Sequence, residues 1–116
     1  MVLIVDDDDA IRETIDLALQ MDNHTTAVAS NGGEALEWLG RNQPPCLIFL
    51  DLMMPVVDGW QVIDQLRRDE RLADVPVVVI TAFSRELGSA AELPVLRKPI
   101  ELRDLLNVTN SYGCAG

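Results

Sequence analysis

Four short strand-like runs in this chain each end on a side chain able to do chemistry. Val2 to Val5 runs into Asp6 and Asp7, Cys46 to Leu50 into Asp51, Val75 to Ile80 into Thr81, and Val95 to Arg97 into Lys98. Lys98 is the only lysine of the sequence and is followed by Pro99. Taken singly, each has an ordinary reading. An aspartate caps a turn, a strand threonine is satisfied by backbone, a lysine is a solvated charge, and acids open helices. Asp8 and Asp9 are read in that last way. The others gain meaning if one edge of a sheet collects them, because carboxylates brought together raise one another's pKa unless a cation compensates. Oxygen donors suit a hard divalent ion, and Mg²⁺ takes one or two carboxylates while keeping sites for water and phosphate oxygens. Phosphoryl transfer asks for positioning and charge neutralisation, and a carboxylate is a competent nucleophile. Asp51 as nucleophile, with Mg²⁺, Lys98 and the Thr81 hydroxyl around three phosphoryl oxygens, is the chemistry these residue types fit.

That chemistry requires elements that bring the run ends to one place. Between the runs the apolar residues recur at helical spacing: Ile11, Ile15, Ala18 and Leu19, then Ala35, Leu36 and Leu39, then Val62, Ile63 and Leu66. Leu102, Leu105 and Leu106 form a last helical set, which Pro99 is expected to open. Asn31 with Glu34, and Asp58 with Gln61, have capping-box spacing. Thr25 to Ala29 is a weaker strand, and Pro44-Pro45 breaks the chain before Cys46. Strands apolar on both faces and separated by helices imply a parallel sheet covered on both sides. The fold class expected is therefore α/β, a doubly wound (βα)5 three-layer sandwich of the flavodoxin-like type. Its sheet order is 2-1-3-4-5, adopted from that class as a whole. In that order the first and third strands are neighbours, and their acids meet at a spacing on the order of the ~4.8 Å between strands.

Composition narrows the partners. The 116 residues suit one domain, with residues 1–110 as the folded unit and 111–116 as a flexible tail. A formal net charge of −10 argues against direct nucleic-acid binding and against an anionic membrane surface. No run approaches the ~18 apolar residues of a membrane span, and no signal-peptide pattern opens the chain, so a cytoplasmic location is expected. Cys46 and Cys114 have no metal-type spacing and are expected to stay unpaired, Cys46 as a small buried hydrophobe and Cys114 in the tail. His24 is read as a surface residue without a role, and Trp38 and Trp60 as partly exposed packing.

VLIVDDD at 2–8, FLDLMMPVVDG at 49–59, VVVITA at 77–82 and RKPI at 97–100 together resemble the receiver domain of two-component response regulators, the CheY-like family. The resemblance covers nearly the whole chain. It implies that Asp51 is the phosphoacceptor and that Lys98 contacts the phosphoryl group, with Thr81 moving to meet it. It further implies a Mg²⁺ ion held by Asp7 and Asp51 directly, by Asp6 through water, and by the Met53 backbone carbonyl. A cis Lys98–Pro99 peptide is implied too. The donor would be a sensor histidine kinase or a histidine phosphotransfer protein, and the output protein is unspecified, a second copy of the chain included. Two departures stand out. Val95 replaces the usual aromatic three residues before the lysine, and the Thr81–Lys98 segment is shorter than the family norm. The fourth helix is therefore expected to be short or irregular. Met53 and Phe83, two residues beyond Asp51 and Thr81, are expected to shield the phosphoryl group from water and prolong its life.

Two other function classes fit parts of the pattern. A phosphatase of the haloacid dehalogenase type would use Asp6 and Asp8 as its aspartate pair, but the chain lacks a cap domain and a late acidic pair. A receiver-like scaffold that is never phosphorylated would tolerate Val95 and the short segment. A flavin site would need a phosphate loop after the first strand, where these acids repel phosphate.

Overall fold

The computed structural model describes residues 1–54, 57–82 and 92–114. The elements alternate as β1 Val2–Val5, α1 Asp9–Met21, β2 Thr26–Ala29, α2 Gly32–Arg41, β3 Leu47–Asp51, α3 Gly59–Arg68, β4 Val77–Thr81, β5 Val95–Arg97 and α4 Leu102–Ser111. The strands form one parallel sheet in the order β2-β1-β3-β4-β5, as expected. The short or irregular fourth helix expected between Thr81 and Lys98, and Phe83 with it, concern a segment of which residues 83–91 lie outside the described residues.

Every residue of β1, β3 and β4 is buried, because both sheet faces are covered. Alternation assigns the side chains to two cores. Leu3, Val5, Ile48, Leu50, Val77 and Val79 pack with Ala35 and Leu39 of α2 and Val62, Ile63 and Leu66 of α3. Val2, Ile4, Leu47, Phe49, Val78 and Ile80 pack with Ile15 and Leu19 of α1 and Leu105 of α4.

The helix starts follow the cap chemistry. Asp8 caps α1 by accepting the Ile11 N–H, and Asn31 caps α2 by accepting that of Glu34. Asp58 and Gln61 form a full reciprocal box at α3. The last helix opens at Leu102, not at Pro99. The Lys98 N–H still donates to the Thr81 carbonyl, so the chain remains sheet-like up to that point. The Lys98–Pro99 peptide is cis.

Three expectations are corrected. Cys46 and Cys114 form a disulfide, with Cα atoms 5.8 Å apart across a sequence separation of 68. Parallel crossovers return the end of α4 to the edge where β3 begins, which sequence distance conceals. Of the segment expected to be a flexible tail, Ser111 closes α4 and Cys114 is buried, while residues 115–116 lie outside the described residues. His24 is buried: Asn23 takes a left-handed φ of 64° and turns the chain under α1. The His24 N–H bonds the Leu19 carbonyl, and its Nε2 lies 3.3 Å from Asp22 Oδ2. Trp38 and Trp60 are partly buried against the α2/α3 core, as read from the sequence.

Candidate functional site

The carboxyl ends of β1, β3, β4 and β5 carry the singled-out residues. Asp6 follows Val5, whose β3 partner is Leu50, the residue before Asp51. This register places one carboxylate from Asp6, Asp7 and Asp51 within 4.8 Å of the others. Asp6 and Asp51 are buried and Asp7 is exposed.

Each carboxylate is held differently. Asp6 Oδ1 accepts the Asp8 N–H at 2.9 Å, and Lys98 Nζ stands 3.1 Å from Asp6 Oδ2. That second contact is one of charge only: Asp6 Oδ2 is fully buried and carries no hydrogen bond among the described residues. Asp51 Oδ1 accepts the Met53 N–H at 3.2 Å, and Asp51 Oδ2 lies 3.6 Å from Lys98 Nζ. Burial first, then the charge of Asp6, pushes the Asp51 carboxyl up to about 7. A hydrogen bond with the Asp7 side chain pushes the same way, against Lys98 and the Met53 N–H.

A pocket of about 440 Å³ opens on this cluster, lined by Asp7, Asp8, Asp51, Met53, Ala82 and Lys98. Asp6 lies behind it and Met53 is exposed at its rim. Thr81 is fully buried at the end of β4, in register with Arg97, and Ala82 faces the pocket instead. The structure thus gathers Asp6, Asp7, Asp51, Met53 and Lys98, and holds Thr81 behind the wall.

The donor set fits a hard divalent cation. Carboxylate oxygens converge, one of them is buried and without a hydrogen bond, and burial together with the charge of Asp6 raises the Asp51 pKa. Lys98 brings a single positive charge to two of the three carboxylates, so the cluster stays net negative.

Two supporting residues complete the frame. A Cβ on Gly59 would come within 2.6 Å of both the Asp51 carbonyl oxygen and Leu52 Cα, so only glycine lets α3 start this close to the β3 end. Gly59 belongs to the quoted motif. Arg12 carries no signal of its own in the sequence beyond its distance from the acids, yet its Nη1 donates to the Asp6 carbonyl at 3.0 Å.

Fold and site together define a doubly wound α/β domain with an acidic pocket where its inner strands end. The chain belongs to the response regulator receiver domain family, whose model matches residues 2–110. Receiver domains are phosphoacceptor signalling domains and bind Mg²⁺ at an acidic pocket. Among curated relatives, the chain is 39% identical over 113 residues to the DNA-binding dual master transcriptional regulator RpaA of Synechocystis sp., covering 90% of this chain and 45% of that protein. It is 38% identical over 110 residues to the response regulator MprA of Mycobacterium ulcerans, covering 90% of this chain and 46% of the relative. The chain thus spans less than half the length of these relatives. The solved Vibrio cholerae chemotaxis protein CheY4 matches with a TM-score of 0.85 and 26% identity, over 96% of each chain. The receiver domain of the Francisella response regulator 1452 matches with a TM-score of 0.83 and 29% identity, over 96% of this chain and 93% of that one.

Proposed function

We propose that this receiver accepts a phosphoryl group on Asp51 from a phosphohistidine of a sensor kinase or phosphotransfer protein, with Mg²⁺ held by Asp6, Asp7, Asp51 and the Met53 carbonyl. An Asp51 oxygen attacks phosphorus and the N–P bond breaks as the O–P bond forms, the bonding pair staying on nitrogen; a phosphoimidazole protonated on its second nitrogen leaves as neutral imidazole, and an unprotonated one takes a proton from solvent. Mg²⁺ supplies charge neutralisation of the phosphoryl oxygens when bound. Lys98, already beside Asp51, would orient the group, and its ammonium would transfer from carboxylate to phosphoryl oxygen as charge moves outward. Thr81 must leave its buried position to donate its hydroxyl, and that movement is the conformational signal. Val95 is half-buried and in register with Val79, so the movement is read without an aromatic partner.

The observation that carries this reading is the Asp6–Lys98–Asp51 arrangement, where one ammonium faces two buried carboxylates and one buried oxygen lacks a hydrogen bond. The reading places the chain in the cytoplasm beside its kinase. The relatives' names supply the class of output: RpaA is called DNA-binding, and in a longer protein the receiver would control such a partner domain. The receiver itself, with a net charge of −10, is not the nucleic-acid contact.

The test is incubation with acetyl phosphate or phosphoramidate, followed by intact mass measurement. One phosphoryl group should appear with Mg²⁺, none after chelation, and none in Asp51→Asn. Incorporation that survives in Asp51→Asn would assign the chemistry to another residue. No incorporation in wild type would favour a scaffold.

A further inference from the structure

Arg12 lies in the first turn of α1, where a cation is disfavoured by the helix dipole. Its side chain is nevertheless only 16% exposed and fully engaged. Nη1 donates to the Asp6 backbone carbonyl at 3.0 Å, and Nη2 pairs with Asp9 Oδ1 at 2.5 Å. The Asp6 carbonyl belongs to the peptide plane that joins Asp6 to Asp7. Asp8 fixes the other side of this turn, through its N–H to Asp6 Oδ1 and its cap on Ile11.

Asp7 has the least support of the three acids. It is exposed, and among the described residues its side chain is held by its hydrogen bond with Asp51. A cation entering the pocket would replace that bond. The direction of the Asp7 carboxylate then depends on the peptide plane before it, and Arg12 holds that plane. We propose that Arg12 is a positioning residue for the cation site: by clamping the Asp6 carbonyl it sets the angle at which Asp7 faces the pocket. The inference rests on the Mg²⁺-assisted reading above and adds a residue that never touches ion or phosphoryl group. Groups that orient metal ligands from behind commonly tune affinity by one to two orders of magnitude.

The test is calorimetric titration of Mg²⁺ into the chain, as wild type, Arg12→Gln and Arg12→Lys. Arg12→Gln should weaken Mg²⁺ binding roughly tenfold. Its phosphorylation by acetyl phosphate should need correspondingly more Mg²⁺, while the rate at saturating Mg²⁺ stays within about twofold of wild type. Arg12→Lys keeps the charge without the two-pronged geometry and should fall between the two. In metal-free protein the Asp8 amide should exchange faster in Arg12→Gln, with core strand amides unchanged. Unaltered Mg²⁺ affinity in Arg12→Gln overturns the proposal. So does wild-type affinity in Arg12→Lys, which would assign the effect to charge alone, and so does a rate loss that saturating Mg²⁺ fails to restore. Wild type that neither binds Mg²⁺ nor takes up phosphate refutes the underlying reading instead, and that result is visible before any variant is made.

Discussion

Lys98 Nζ stands 3.1 Å from Asp6 Oδ2 and 3.6 Å from Asp51 Oδ2, so a single ammonium is shared between carboxylates from two neighbouring strands. It occupies space and charge that a divalent ion and a phosphoryl group would each reorganise. Replacing it with methionine removes a repulsive neighbour of the ion and a stabilising neighbour of the phosphoryl oxygens. Lys98→Met should therefore bind Mg²⁺ about fivefold more tightly, as expected for roughly 1 kcal/mol of lost repulsion. Its phosphorylation rate should fall roughly 10- to 100-fold. Calorimetry and a stopped-flow assay with acetyl phosphate separate the two effects. Parallel loss of both would show Lys98 to be a structural residue.

Asp51 titrates near 7 in the folded metal-free chain, against an ordinary value of 3.8. The folded state therefore holds this proton more tightly than the unfolded state. The contribution of Asp51 to stability is fully present below about pH 4, declines as pH rises through the interval from 3.8 to about 7, and is lost above it. Asp51→Asn imitates the neutral acid and should be more stable than wild type above pH 7, by on the order of 3 kcal/mol without Mg²⁺. The advantage should shrink toward zero near pH 4. Mg²⁺ should stabilise wild type at pH 8 and do much less for the variant. Urea unfolding at pH 4.5, 6 and 8, with and without the ion, reads all of this; a pH-independent difference would refute the electrostatic cause.

Gly59 is set against backbone atoms that cannot yield, with the Asp51 carbonyl oxygen and Leu52 Cα both 2.6 Å from where a Cβ would stand. Gly59→Ala must push α3 away from the end of β3. A loss of about 2 kcal/mol is expected, the middle of the range for forced overpacking. Because the displaced segment includes Asp51, phosphorylation should slow as well, even at temperatures where the variant is fully folded. A stability loss with wild-type phosphorylation would show that Asp51 is held independently of the helix start.

The parts of this molecule that could be read from sequence are those where local pattern and global fold agree. β1 and β5 were bounded to the residue by apolar runs meeting Asp6 and Lys98, and the α3 cap by the Asp58 and Gln61 pair. The acid cluster was legible because strand ends in a known order share an edge. Arg12 was not, since an arginine on a helix says nothing about which carbonyl it reaches. Thr81 is expected from the resemblance to move to meet the phosphoryl group, and here it is fully covered at the end of β4 while Ala82 takes the open position. His24 escaped the sequence reading because its burial hangs on the left-handed turn at Asn23, and the two cysteines because their pairing is made by the return of α4 to the far edge of the sheet. No local pattern records that return.

That far edge supplies the last prediction. Cys46 lies just before β3 begins and Asp51 ends the same strand, so the disulfide and the acid pocket occupy opposite ends of the sheet. The bond closes a loop across a separation of 68 residues. In the chain-entropy account this is worth on the order of 4 kcal/mol, exerted on the unfolded chain. Reduction, or the double change Cys46→Ser with Cys114→Ser, should lower Tm by roughly 15 °C for a domain of this size. Mg²⁺ affinity and the rate of phosphorylation at 25 °C should stay unchanged, because neither the β3 end nor Lys98 depends on the α4 terminus. A thiol count on denatured protein, with and without prior reduction, first establishes the oxidised fraction. If reduction leaves Tm in place, the cross-link is not closing a loop that the unfolded chain would otherwise explore. If it instead slows phosphorylation in a protein that remains folded, the two ends of the sheet are coupled through β3.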